Sequence, residues 1–157
     1  MDSYIDIAFH IVFSLIAGYA AWKALGSKGK RSFMPSLIAA FICGVFIGLD
    51  HFFDYILAFG TNFNYNYFIN GEYFLRTGKA YILFHGFEYV IILGLMTIIA
   101  KKKKVKMIFL SLGLSMLFQL LVDILLFSTS IKFYSIVYRV LQGFYINFPP
   151  HHLLNTL

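Results

Sequence analysis

The sequence predicts an all-α protein, a polytopic transmembrane helix bundle of four spans followed by a C-terminal amphipathic or fifth helix. Three observations carry this expectation. Of 157 residues, 60% are hydrophobic and only 13% charged, about half the roughly 25% of a soluble domain. Four windows are apolar over the roughly 20 residues that a helix needs to cross about 30 Å of hydrocarbon. Nine of the 13 Lys and Arg crowd into two short stretches, "KALGSKGKR" and "KKKKVK", the pattern of cytoplasmic loops. The formal charge of +6 is therefore a topology signal, and no nucleic-acid partner is expected. The whole chain, residues 1–157, reads as one integral membrane domain whose partner is the lipid bilayer.

The spans are expected over residues 4–25, 34–59, 80–100 and 107–127. The start, "MDSYID", is acidic and lacks both a basic n-region and a small-residue cleavage pattern, so the first window is expected to be a retained span. Pro35 falls in the first turn of the second window, where its missing N–H does no harm. Cys43 lies mid-span as a small apolar side chain. Between the second and third windows, "GTNFNYNYFINGEYFLRTGK" is too long for a tight turn and too polar to span. Its aromatic rings suit the membrane interface. After the fourth window, residues 131–148 carry Lys132, Ser135, Arg139 and Gln142 at helical spacing on an otherwise apolar stretch. This stripe fits a helix lying in the interface or a fifth span that turns its polar face inward. The tail "NFPPHHLLNTL", with His151 and His152, is expected to be irregular and exposed.

With both basic loops in the cytoplasm, the N-terminus and the Asn/Tyr/Phe loop lie outside. Counting at about 1.5 Å per residue then places His10, Asp50, His51, Asp54, His85, Glu88 and Asp123 in the outer half of the spans. The inner halves offer only Ser14, Ser36, Thr97, Ser111 and Ser115. Asp50 and Asp54, and again Gln119 and Asp123, are four residues apart, while His85 and Glu88 are three apart, so each pair shares a helix face. Ionisable groups inside a span rarely face lipid and mark functional sites. Helix bundles build metal centres from such acid and imidazole groups. A nitrogen and oxygen donor set without thiolate suits a divalent metal, zinc first, then manganese or iron. A cation would also relieve the repulsion among carboxylates held at one depth.

The candidate metal ligands are therefore His10, Asp50, His51, Asp54, His85 and Asp123, with His51 turned about 100° from Asp50 on an ideal helix. Glu88 is the candidate general base. Arg76 and Lys79, near the outer mouth, are candidates for an anionic head group.

The motifs "AFHIVF" with His10, "GLDH" with Asp50 and His51, "FHGFEY" with His85 and "FQLLVD" with Asp123 together resemble the bacterial and archaeal membrane-bound metal-dependent hydrolases over residues 8–126. That family carries an Asp-x-Asp-His at the end of its second span and a His four residues before its last Asp. Here Gly48 and Gln119 stand at those positions, and Gly86 replaces the Ser after the third-helix His. The resemblance implies a hydrolase; a site just below the interface suits a lipid or lipid-linked substrate, so hydrolysis of a membrane-associated ester or phosphoester is expected. The alternatives are an ion- or proton-translocating protein, or a small regulatory membrane protein with a vestigial metal site.

Overall fold

Helix propensity and continuous apolar character leave the interior no sheet to form, and the described residues are helical with one isolated bridge between Lys79 and Tyr145. The computed structural model describes residues 3–26, 30–127 and 130–145. His151 and His152 and the tail around them lie outside the described residues. The elements run α1 (Ser3–Ala24), α2 (Lys30–Ile47), α3 (Leu49–Phe59), α4 (Tyr65–Ile69), α5 (Glu72–Thr77), α6 (Phe87–Ile99), α7 (Lys103–Phe127), a 3₁₀ turn (Ile131–Tyr134) and α8 (Ile136–Leu141). A single turn residue, Gly48, separates α2 from α3.

The first, second and fourth windows each become helix. Ser32–Phe59 and Lys103–Leu126 are long and apolar enough to cross a membrane, while Ala8–Ala24 and Phe87–Ile99 are apolar but shorter. The third window departs from expectation. Its helix α6 has only 13 residues, about 20 Å at 1.5 Å per residue, because residues 80–86 form no helix. The C-terminal region departs as well. Instead of one helix over 131–148, the chain makes a 3₁₀ turn, breaks at Ser135 and forms the short α8. The Ser135 hydroxyl caps that helix by accepting from Tyr138 N–H, a bond that favours a helix start over continuation of the preceding turn.

Helices α1, α2 and α7 pack mutually and α6 leans on α7. Small residues set their separation. A Cβ on Gly18 would stand 3.0 Å from both Leu37 Cα and Ser36 O, and one on Gly44 would stand 2.2 Å from Ser14 Oγ. Polar side chains then tie the backbones together. Ser36 donates to Gly18 O at 2.7 Å and lies 2.6 Å from Ser111 Oγ, while Ser115 and the Gln119 amide both reach Ser14 Oγ at 2.9 Å. Ser111, Ser115, Gln119 and Asp123 are successive four-residue steps along one face of α7, and all are buried. At the opposite pole of polarity, Leu125, Ile98 and Ile99 are 78%, 74% and 70% exposed. Polar groups inside and large apolar groups outside invert the usual order of a water-soluble fold.

Lys103 Nζ donates to Gly26 O at 3.3 Å, so the α1–α2 and α6–α7 connections meet at one end of the bundle. The other end carries α3 to α5, the 80–86 segment and the C-terminal turn. There Tyr55 is a hub: its hydroxyl donates to Asn62 O and accepts from Asn64 N–H, and its ring lies among Phe59, Phe63, Phe68 and Tyr73.

Gly44→Ala is expected to lower stability by about 1–3 kcal/mol, since the added methyl overpacks a rigid helix crossing. Gly94, where a Cβ meets nothing within 4 Å, is the control: Gly94→Ala is expected to raise stability by about 0.5–1 kcal/mol. Thermal unfolding midpoints of the two variants check the contrast.

Candidate metal centre

Residues 79–86 enter the end of the bundle as irregular backbone, and their N–H and C=O groups need partners that no helix supplies. Carboxylates take the N–H groups. Asp54 accepts from Tyr81 N and Ile82 N, both at 3.0 Å, through its two oxygens, and Asp50 Oδ2 accepts from Phe84 N at 2.7 Å. A guanidinium takes the carbonyls: Arg139 donates to Tyr81 O, to Ile82 O at 2.7 Å and to His85 O at 2.6 Å. Ile82 holds a positive φ of 25°, sparsely allowed for a β-branched residue.

This segment presents His85 to the acids. Its Nδ1 lies 2.9 Å from Asp50 Oδ2, its Nε2 lies 3.7 Å from Asp123 Oδ2, and His10 Nε2 lies 3.0 Å from Asp123 Oδ1. Acid and imidazole thus alternate from α1 through α7 and the 79–86 segment to α3. With Nδ1–H donating to Asp50, the Nε2 lone pair of a neutral His85 faces the Asp123 carboxylate. A separation of 3.7 Å is too long for a hydrogen bond.

His51 completes the group. Its ring centroid is 5.0 Å from that of His85, and Tyr73 Oη lies 3.0 Å from its Nδ1. Burial pushes the Tyr73 phenol above its ordinary range, and the nearby Asp54 and Asp50 carboxylates push the same way, so the hydroxyl keeps its proton. When Nδ1–H of His51 donates to that oxygen, Nε2 keeps its lone pair for a ligand, the tautomer that metal-bound imidazoles use. Asp50, His51 and His85 each offer one ligand atom, and these atoms all lie within 4.8 Å of one another. Asp50 is 1% exposed, and its Oδ1 is buried with no hydrogen-bond partner. An orphaned buried carboxylate oxygen is costly, and beside two imidazoles it fits a cation.

The remaining candidates have other partners. Both Asp54 oxygens are used on backbone N–H groups, so Asp54 holds the 80–86 segment. Glu88 accepts from Ser135 Oγ at 2.5 Å and from Ile136 N and Val137 N at 3.0 and 3.1 Å. Its carboxylate, the candidate general base, is thus engaged with the start of α8. Arg76 stacks on the Phe59 ring at 4.6 Å and lines an open hollow of about 670 Å³ with Tyr55, Asn62, Phe63 and Tyr67. Lys79 Nζ lies 4.7 Å above the Tyr145 ring. Neither cation has a described contact with the acid–imidazole group.

Arg139, which the sequence places in a polar stripe with Ser135 but not among the site candidates, is 3% exposed and turned inward. Arg139 also supplies part of the positive charge that the clustered acids need. No family model, curated protein or solved structure matches the chain, and no family is assigned to it.

Asp54→Ala strips both Tyr81 and Ile82 N–H groups of their acceptors, at about 1–3 kcal/mol for each orphaned donor. Asp54→Asn keeps one accepting oxygen and is expected to fall between the alanine variant and the parent. Thermal unfolding of the three proteins checks the order.

Proposed function

We propose that the chain is an integral membrane protein whose buried Asp50, His51 and His85 hold a divalent metal, and that it hydrolyses a membrane-associated ester or phosphoester. The observation that carries this reading is the convergence of three ligand atoms within 4.8 Å, one residue of which has a bare, buried oxygen. The apolar exterior and the two helices of spanning length support the membrane setting. The basic connections that meet at one end support a cytoplasmic location for that end and an outer-leaflet location for the centre. The nitrogen and oxygen donor set favours zinc, then manganese or iron.

Charge bookkeeping points the same way. Among the described residues, Asp50, Asp54 and Asp123 with Arg139 are the buried ionisable groups besides histidine. Three carboxylates and one guanidinium leave two negative charges, which one divalent cation neutralises. Such a cation would supply Lewis acidity and make water acidic near neutral pH. Asp123, fixed through Oδ1 by His10, presents Oδ2 beside His85 and is the carboxylate placed to accept a proton from an attacking water. The hollow beside Arg76 would receive an anionic head group at the outer mouth. The likeness to membrane-bound metal-dependent hydrolases supports the same class, although Gln119, where that family has a ligand, here donates to Ser14.

Purified protein reconstituted with Zn²⁺ or Mn²⁺ is expected to retain about one equivalent by elemental analysis, and Asp50→Asn and His85→Ala to lose it. A parent protein that retains no metal ends this reading. Because the ligands bind only when unprotonated, retention is expected to fall as pH is lowered from about 7.5 to 5.5. Asp123→Asn is expected to keep the metal and lose hydrolysis by about 10²–10⁴-fold in kcat, the range for a general base.

A second reading, proton or ion translocation, is favoured by one observation: the buried polar stripe of α7 continues inward from Asp123 through Gln119 and Ser115 to Ser111. In it the two negative charges are balanced by protonated His10 and His85 instead of a metal. Proteoliposomes that collapse a pH gradient in the absence of metal, with loss in Asp123→Asn, would favour it over hydrolysis.

A further inference from the structure

We infer that Arg139 is a positioning residue for the metal centre, and that the 130–145 segment is a clasp that sets His85 in place. This rests on the metal reading above and adds the part of the chain that makes it possible. His85 sits on irregular backbone, so its imidazole is aimed only as well as residues 79–86 are held. Asp54 and Asp50 fix the N–H side of that segment. The carbonyl side depends on Arg139, whose Nη1 serves Tyr81 O and Ile82 O while Nη2 serves His85 O. The last of these bonds grips the peptide of the ligand residue itself.

The rest of the segment closes on the same point. Ile136 packs so tightly on Gly86 that a Cβ there would stand 2.6 Å from Ile136 Cδ1. The Tyr134 ring lies 6.4 Å from that of His85. Glu88 anchors residues 135–137 by three hydrogen bonds. Ala80 N donates to Phe144 O at 3.0 Å, and the Lys79–Tyr145 bridge pins the far end. Arg139 itself leans toward Asp50, Glu88 and Asp54 electrostatically. The planar fork is what lets one side chain reach three carbonyls, and an ammonium is a point charge on a flexible stem. Lysine at this position keeps the charge and loses the geometry.

The test is Arg139→Lys in the full chain, titrated with Zn²⁺ and followed by thermal unfolding with and without the metal. The expected result is a protein with the parent's helix content whose Zn²⁺ affinity falls about 10–100-fold, the usual effect of losing an outer support of a metal ligand. The zinc-induced rise in Tm shrinks correspondingly. A merely structural role would lower Tm equally with and without zinc and leave affinity alone. Parent-like affinity in a folded Arg139→Lys overturns the inference while leaving the metal centre standing; a parent protein that binds no zinc overturns the metal centre first. Should Arg139→Lys not fold, Gly86→Ala decides. It pushes chiefly on Ile136, with Glu88 Oε2 3.0 Å from the added methyl, so it is expected to weaken zinc binding, and Gly86→Ala/Ile136→Ala is expected to restore it. Unchanged affinity in Gly86→Ala overturns the clasp.

Discussion

Irregular backbone inside a helical bundle is tolerated only when something else supplies its hydrogen bonds, and residues 79–86 impose that demand on everything around them. Asp54 and Asp50 answer from α3, and Arg139 answers from the C-terminal helix. The arrangement shortens α6, bends the chain after Tyr134 and commits Glu88 to holding α8. In lipid the demand is sharper, because no water can stand in for a missing partner. Several ionisable groups that look expensive in the sequence are thus the means by which a non-helical stretch is buried at all.

The same bonds separate support from chemistry among the acids. A carboxylate whose two oxygens each receive a backbone N–H, as Asp54 does, is anchored to the segment it holds. Asp50 is different. One oxygen serves Phe84 and His85, while the other is buried and bare. Asp123 is held on one side by His10 and open on the other toward His85. Three acids at one depth therefore have three distinct roles, decided by which neighbours reach them rather than by residue type. This hierarchy places the ligand-like oxygen where two imidazoles already stand.

Much of the architecture is legible from pattern. Apolar length marks the helices, and counting from their ends puts His10, Asp50, His85 and Asp123 at a common level, where the structure joins them in one run of contacts. What pattern does not carry is the break in the third apolar window. Residues 80–86, "AYILFHG", are largely apolar like the helix that follows, and no proline interrupts them. The alternative conformation is stabilised by partners 27 and more residues away, Asp54 before it and Arg139 after it. The polar stripe with Arg139 leaves inward and interfacial positions open for the same reason, because the carbonyls that Arg139 covers lie 54 and more residues before it. Asp54 and Glu88 passed as site candidates because periodicity reports a shared face and cannot report that the face is already occupied.

The span of sequence over which the 79–86 segment finds its partners also sets an order of assembly. A chain made from its N-terminus has Asp54 ready before Tyr81 and Ile82 emerge, so the amide side can be satisfied at once. The carbonyls of Tyr81, Ile82 and His85 must wait for Arg139, between 54 and 58 residues later. Until then the carbonyls of Tyr81 and His85 lack their guanidinium donor, and that of Ile82 has only His85 N–H. Completion of the acid–imidazole arrangement thus coincides with arrival of the chain's last described helix, and a chain stopped before Arg139 would lack the donor that holds the His85 carbonyl.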